Sequence, residues 1–425
     1  MSDGGGRSGT KLPPTMSMTV RGRAALGIGA VARWASRVTG RGAGAMIGGL
    51  VAMTLDRSVL RQLGAGRHTA IITGTNGKST TTRMVAAALS TRGPVATNSE
   101  GANMDAGLVA ALASARDASL SALEVDEMHV PHVSDALSPE VIVLLNLSRD
   151  QLDRVGEINH IERTLRAGLA RHPDTVIVAN CDDVLMTSAA YDCPKVVWVA
   201  AGGGWANDSV SCPRSGDVIV RDGNGWHSTG CDFSRPTPQW RYDDGKLYGP
   251  GGLALPMTLA LPGAVNRGNA AQAVAAAVAM GADPAAAVAA VAAVDEVAGR
   301  YRTVQIGDHT ARLLLAKNPA GWQEALSMVD KTAAGVVISV NGQVPDGEDL
   351  SWLWDVRFEH FEGTPVVAAG ERGTDLAVRL GYAGVDHTLV HDTIAAIESC
   401  PPGHVEVVAN YTAFLQLQRA LERSR

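Results

Sequence analysis

The sequence predicts an α/β protein: a phosphate-binding domain with a small β insertion, followed by a second, Rossmann-like α/β domain. Three observations carry this. The apolar run His68 to Thr73 leads into Gly74-Thr75-Asn76-Gly77-Lys78-Ser79-Thr80, and behind it Met84, Val85, Ala88 and Leu89 recur at helical spacing. Short apolar runs then alternate with Ala-rich helical stretches, the order of a mostly parallel sheet. From Trp205 to about Pro250 the composition shifts to Gly, Asp, Trp and Pro with short alternating runs.

The first of these is a strand, a glycine loop and a helix in succession. Glycines let backbone N–H groups close around an anion, and the helix N-terminus adds its partial positive charge. Lys78 is placed to reach β- and γ-phosphates, and the Ser79 hydroxyl to bind Mg²⁺. The first glycine of the general P-loop pattern would fall at Ile72, so this is a tighter form of the loop. The bland alternative, a Gly-rich turn before a helix, does not account for Lys-Ser at the helix start.

With 425 residues, the chain has room for two or three domains and large cores. Apolar residues make up 46% and charged residues 19%, which suits a globular α/β protein; aromatics are only 4%, so Ala, Val and Leu must fill the cores. The balance of 37 basic against 43 acidic residues gives −6, which argues against a nucleic-acid partner. The cysteines (Cys181, Cys193, Cys212, Cys231 and Cys400) are few and odd in number, as expected for reduced cytosolic thiols. Residues 1–20 are polar and glycine-rich and are expected to be a disordered tail. Ala24 to Leu55 is apolar but interrupted by arginines, and its longest uncharged run, Gly42 to Leu55, is too short to span a bilayer. It is read as helical packing next to the nucleotide site, with peripheral contact to a membrane surface as the alternative.

After the loop helix, Pro94–Asn98 and Leu120–Val125 read as strands, with an Ala-rich helix over Gly107–Arg116 between them. The second strand ends in Glu124-Val125-Asp126-Glu127. Carboxylates just past the C-terminal end of such a strand sit where ligands bind, so Glu124 or Glu127 is the candidate magnesium ligand; a solvated acidic loop is the alternative. Val141–Leu147 and Val176–Ala179 are the next strands, the latter followed by Asn180-Cys181-Asp182-Asp183. The segment 205–250 is read as a ribbon-like module framed by Cys212-Pro-Arg-Ser215 and Ser228-Thr-Gly-Cys231. A zinc ribbon wants cysteine at all four corners, and a hydroxyl is a poor zinc ligand. The expectation is therefore a module without metal, with Cys212 and Cys231 at most close in space; zinc on Cys212 and Cys231 stays the minor alternative. Further on, Asn266 and Asn269 open an Ala-rich helix, where they either cap it or, for Asn269, pair with an adenine edge. Domain boundaries are read at 21–300 and 301–425. In the second domain, strands fit Ala311–Ala316, Val336–Asn341, Pro365–Ala369 and Val405–Ala409, and helices fit Ala320–Val329, Thr374–Leu380 and Thr412–Arg423. The run Asp349-Leu-Ser-Trp352-Leu-Trp354-Asp355 concentrates tryptophan between acids, either as an interface hot spot or as an anchor to the core.

Taken together, the loop Gly74 to Ser79, Glu124, Asn180 to Asp183, Asn266 to Asn269 and Arg300 resemble the central and C-terminal domains of the Mur ligase family. The run Arg149-Asp-Gln151-Leu-Asp-Arg154, the ribbon-like insertion, Lys317-Asn318-Pro319 and the Trp-rich run are similar to its amidating subgroup. Gln151 stands where the wider group has a metal-binding His, and Lys317 where it has a His before Asn-Pro. The resemblance implies ATP and Mg²⁺ as cofactors, held by Gly74, Thr75, Asn76, Gly77, Lys78, Ser79 and Thr80 with Asn266, Asn269 and Arg300, the metal on Ser79 with Glu124 or Glu127. It implies that the α-carboxyl of D-Glu in the stem peptide of lipid II is phosphorylated and then amidated. The implied ammonia source is a GatD-like glutaminase subunit, whose Cys–His pair an Asp of this chain orients, Asp349 first and Asp355 second. The implied location is the cytoplasm, at the inner face of the membrane. Two readings compete: a ligase that adds a whole amino acid, as folylpolyglutamate synthases do, and a non-catalytic ATP-binding scaffold.

Overall fold

The structure, a computed structural model, describes residues 18–38, 45–98, 102–148, 157–203, 206–223, 225–295, 301–347, 349–361 and 364–423. Each of the apolar runs becomes a strand, because a parallel sheet is covered on both faces and has no polar side to alternate with. In chain order the elements begin with α1 (Val20–Val38), α2 (Ala45–Leu55), α3 (Val59–Gly64), β1 (His68–Thr73), α4 (Lys78–Ser90), β2 (Val95–Thr97), α5 (Asp105–Ser114) and β3 (Leu120–Glu124). They continue with α6 (Val130–Leu137), β4 (Val141–Leu144), α7 (Glu157–Leu169), β5 (Val176–Asn180), α8 (Val184–Ala190) and β6 (Val196–Ala200).

Strands β2, β3, β1, β4, β5 and β6 pair in parallel in that spatial order. The parallel register puts their C-terminal ends on one edge, where the glycine loop, Glu124, Asn146 and Asn180 emerge. The segment expected to form one inserted module divides in two. Only the hairpin β7 (Ile219–Asp222) and β8 (Gly225–Ser228) is a separate sheet. Strands β9 (Trp240–Asp243), β10 (Lys246–Gly249) and β11 (Leu253–Pro256) extend the main sheet past β6, with the two β10 pairings antiparallel. Trp240 and Leu247 are buried in the same core as β1, which is why these residues join the large sheet.

Helices α9 (Ala264–Ala279) and α10 (Pro284–Ala292) pack with α4 over one face of the sheet. Their alanines allow close approach, and Asp283 caps α10 by accepting from Ala286 N–H at 2.9 Å, with Pro284 in the first turn. The other face carries α5 to α8 and, beyond them, the N-terminal helices. The segment read as helical packing is helical, and it stands one helix away from the site. α2 lies on α5, and α1 lies outside α2 as the outermost layer, crossing it where a Cβ on Gly29 would meet the Gly48 carbonyl oxygen at 2.4 Å.

The second domain is a sheet in the order β12 (Tyr301–Ile306), β13 (His309–Leu315), β17 (Gly403–Ala409), β14 (Gly335–Ser339), β15 (Val366–Ala369), β16 (His387–Leu389). All pairings but β12–β13 are parallel. Helices α11 (Pro319–Met328), α12 (Gly373–Tyr382), α13 (Thr393–Glu398) and α14 (Tyr411–Arg423) cover it. The Trp-rich run is a 3₁₀ turn over Ser351–Trp354. Trp352 anchors it to the core, buried and stacked on Trp322 at 5.4 Å, while Trp354 is 57% exposed beside Tyr382.

A candidate nucleotide and acyl-transfer site

The loop after β1 is built by two glycines with positive φ, Gly74 at 138° and Gly77 at 84°. Space forbids a side chain at Gly74 and crowds one at Gly77. A Cβ on Gly74 would fall 2.9 Å from the Asn146 carbonyl oxygen, and one on Gly77 would fall 3.1 Å from the Asn269 amide. The loop thus threads between the end of β4 and the start of α9. Asn146 clasps it: its side chain accepts from Asn76 N–H at 2.9 Å and donates to the Asn76 carbonyl at 3.0 Å. Thr75 N–H donates to the Asn146 carbonyl at 2.9 Å, and Ser148 N–H donates to the Thr75 hydroxyl at 3.0 Å.

Lys78 opens α4 and is buried. Its ammonium donates to the Gly74 carbonyl at 2.5 Å and pairs with Glu127 Oε1 at 3.3 Å. The Ser79 hydroxyl donates to Glu124 Oε2 at 2.8 Å. Glu124 is fixed through its backbone, since Asn98 accepts from Glu124 N–H and donates to the Glu124 carbonyl, both at 2.8 Å. Burial pushes the Glu127 carboxyl above the usual carboxylate range, and the Lys78 charge works against that shift. One hydroxyl and two buried carboxylates, facing a lysine at a helix N-terminus, make a donor set that suits a hard divalent cation next to phosphates.

Across the strand ends, a cleft of about 270 Å³ is lined by Asn146, Asn180, Gly202, Asn269, Gln323 and Glu324. It opens between the two domains. The Gln323 amide nitrogen is buried there with no partner among the described residues. Asn266 is buried and donates to the Pro262 carbonyl at 2.6 Å, and Asn269 leans on it at 3.4 Å, so Asn266 positions Asn269. The domains also touch at the loop itself, where the Asn76 amide donates to Asn318 Oδ1 at 3.3 Å. Asp183 caps α8 by accepting from Met186 N–H at 2.8 Å and also accepts from Leu147 N–H at 3.1 Å; burial pushes its carboxyl up to about 6.

The structure therefore brings together Gly74, Thr75, Asn76, Gly77, Lys78, Ser79, Glu124, Glu127, Asn266 and Asn269. Thr80 lies one residue further into α4. Asp349 and Asp355 lie elsewhere, on the C-terminal domain at the two ends of the Trp-rich run; Asp349 accepts from Ser351 N–H at 2.8 Å. Arg300 and the run 149–154, with Gln151, lie outside the described residues. Sequence reasoning missed Asn98 and Asn146 as site-building residues, and quoted Asp183 only as part of a run, without a role. Each is a short polar residue at or just past the end of a core strand, and that position is the signal that could have found them.

In the insertion, the four corners do meet. Cys212 Sγ is 4.0 Å from Cys231 Sγ, and Ser215 Oγ is 3.3 Å from Ser228 Oγ. Hydrogen bonds from Ser228 and Ser215 hold the Cys231 thiol down to about 7. His227 turns away, toward Asp222 at 3.9 Å. Two thiols and two hydroxyls are not the donor set of a structural zinc site.

A family model for the Mur ligase middle domain matches residues 72–277, and one for the MurT ligase C-terminal region matches residues 315–414. Among solved structures, a pseudomurein peptide ligase type C from Methanothermus fervidus aligns with a TM-score of 0.64 at 17% identity, over 84% of this chain and 79% of that one. MurF from Acinetobacter baumannii aligns with a TM-score of 0.64 at 18% identity, over 88% and 80%. The Mur ligase middle domain, with the relatives that follow, marks the chain as an ATP-dependent ligase. The relatives include the lipid II isoglutaminyl synthase (glutamine-hydrolyzing) subunit MurT of Streptococcus pneumoniae, 27% identical over 89% of this chain and 93% of the relative. The subunit of the same name from Staphylococcus aureus (strain N315) is 26% identical over 94% and 98%. The chain carries the Mur ligase middle domain and the MurT ligase C-terminal region, and it is similar to MurT subunits over nearly its whole length.

Proposed function

We propose that this chain amidates the α-carboxyl of D-Glu in the stem peptide of lipid II, using ATP and ammonia from a partner glutaminase. The observation that carries the reading is the similarity, over nearly the whole chain, to subunits named for that synthase, joined to an intact Lys78–Ser79–Glu124 cluster. A carboxylate is a poor electrophile. Transfer of the terminal phosphoryl of ATP to it gives an acyl phosphate, and ammonia then displaces phosphate to leave the amide.

The residues divide the work along the strand ends. The loop N–H groups and Lys78 take the phosphates, and Lys78 offsets charge on the transferring phosphoryl group. Ser79 and Glu124 would hold Mg²⁺, which supplies further charge neutralisation there; Glu127 stands beside them on Lys78. Asn269 and Asn180 line the cleft where the adenine end fits. Asp349 is the first choice and Asp355 the second for the carboxylate that orients the His of a GatD-like partner. Its place in the run that exposes Trp354 against Tyr382 supports a protein contact at that edge. No described helix is long and apolar enough to cross a membrane; we place the enzyme in the cytoplasm at the membrane's inner face, where a lipid-linked acceptor would be met.

The test is phosphate release from ATP and Mg²⁺ with lipid II. It is run with ammonium, with glutamine, and with glutamine plus the candidate glutaminase. Turnover with ammonium, and with glutamine only when the partner is present, is expected. ATP binding without turnover in every arm would sink the reading in favour of a scaffold.

A further inference from the structure

A surface helix normally turns its apolar side inward and its charges outward. α1 does not. Its inward side, Gly22, Ala25, Leu26 and Gly29, already seats it on its neighbours, yet its outward side is apolar too. Its outward side presents Val20, Ala24, Ile28, Val31 and Trp34, spaced three and four apart, with Trp34 at 66% exposure. Exposed Met46, Ile47 and Leu50 on α2 add to the apolar surface of this layer. Arg21 and Arg23, both exposed, flank the stripe at its start.

The charge pattern is as one-sided as the apolar one. Between Met18 and Leu55 the sequence has arginines at 21, 23, 33, 37 and 41 and no acidic residue, within a chain whose net charge is −6. An apolar stripe with a tryptophan, edged by arginines on a helix that cannot span a bilayer, has the make-up of an element that lies in the plane of an anionic lipid surface.

We propose that the outward face of α1, with the exposed residues of α2, is a membrane-docking surface for anionic lipid. The position of this surface gives the docking a use. α2 packs on α5 so closely that a Cβ on Gly49 would overlap the Ala106 carbonyl. The residues just before α5 bond the loop behind Glu124, with Asp126 N–H donating to the Asn103 carbonyl at 3.2 Å. The docked layer therefore stands one helix away from the carboxylates of the site. Choosing lipid over a protein occupant rests in part on the proposed lipid-linked acceptor; the measurement below does not.

The experiment is co-sedimentation of the full chain with vesicles of phosphatidylcholine alone and of phosphatidylcholine with phosphatidylglycerol. The chain is expected to pellet with the anionic vesicles, less so at high salt, and weakly with neutral ones. Ile28→Asp with Trp34→Asp should weaken binding roughly tenfold or more while leaving ATP binding unchanged. Val344→Asp, an exposed apolar site on the other domain, should bind as wild type does. Arg23→Glu offers a second variant, should the double one fail to fold, and should weaken binding to the anionic vesicles only. Wild-type protein left in the supernatant would overturn the proposal. So would a double variant that pellets equally well, or light scattering that finds this face occupied by a second copy with no lipid bound. Failure of the ligase reading would leave vesicle binding intact, and failure of docking would leave turnover of a lipid-free acceptor intact.

Discussion

At the residue scale the site rests on a few pairings that each make a separate claim. Lys78 is buried between its own loop and Glu127. Lys78→Ala should lower ATP turnover at least roughly a hundredfold with partner binding kept, measured by phosphate release and pull-down. Asp349→Asn should abolish glutamine-dependent amidation and spare the reaction with free ammonium; loss of both would return Asp349 to the ligase site or the fold. Asp183 carries a pH claim. Its folded carboxyl sits at about 6, above an unfolded value of about 3.9, so between these the folded chain holds more protons. This group's contribution to stability is therefore greatest below about pH 4 and falls as pH rises to about 6. Denaturation of Asp183→Asn against wild type should move in the variant's favour over that window, and an unchanged gap would assign the slope to other carboxylates. At this scale, residues of a contiguous motif were legible in the sequence because the loop's chemistry is local. Asn98 and Asn146 were not, because their partners, Glu124 and Asn76, lie far along the chain and only the sheet brings them close.

At the element scale, strands were the most legible feature. β1, β3, β4 and β5 are apolar on both faces and cannot be anything but buried. Short elements such as β12, β16 and α13 went unread, since each takes its order from a neighbour rather than from its own pattern. The insertion misled for a related reason: β9 to β11 look like the hairpin before them, but the core contacts of Trp240 and Leu247 draw them into the main sheet. The Trp-rich turn was undecidable from sequence because its tryptophans face opposite ways. Trp352→Ala should cost about 3–5 kcal/mol by chemical denaturation, through the cavity left against Trp322. Trp354→Ala, on the surface, should cost far less and weaken partner binding instead.

At the scale of the whole molecule, the cleft between the domains is the feature no motif announced. Beside it the glycine loop meets the start of α11, with Asn76 and Asn318 in contact. A ligand filling this space holds both domains at once. A non-hydrolysable ATP analogue with Mg²⁺, at about a hundred times its Kd, should stabilise the chain by about 2.7 kcal/mol. Hydrogen exchange should slow at Asn76 to Lys78 and at the start of α11 together. Protection confined to the first domain would show that the nucleotide leaves the second domain free.

The paired knuckles of the insertion have a consequence for supply. Their hairpin is held by other means: Trp226 donates to the Cys181 carbonyl at 3.0 Å and packs on Phe233, and Arg235 bonds Asp182 at 2.6 Å. With serine at two corners, we propose that the module assembles without drawing on the cell's zinc supply. On that reading, a cell starved of the element would keep this part of its wall-building machinery in working shape.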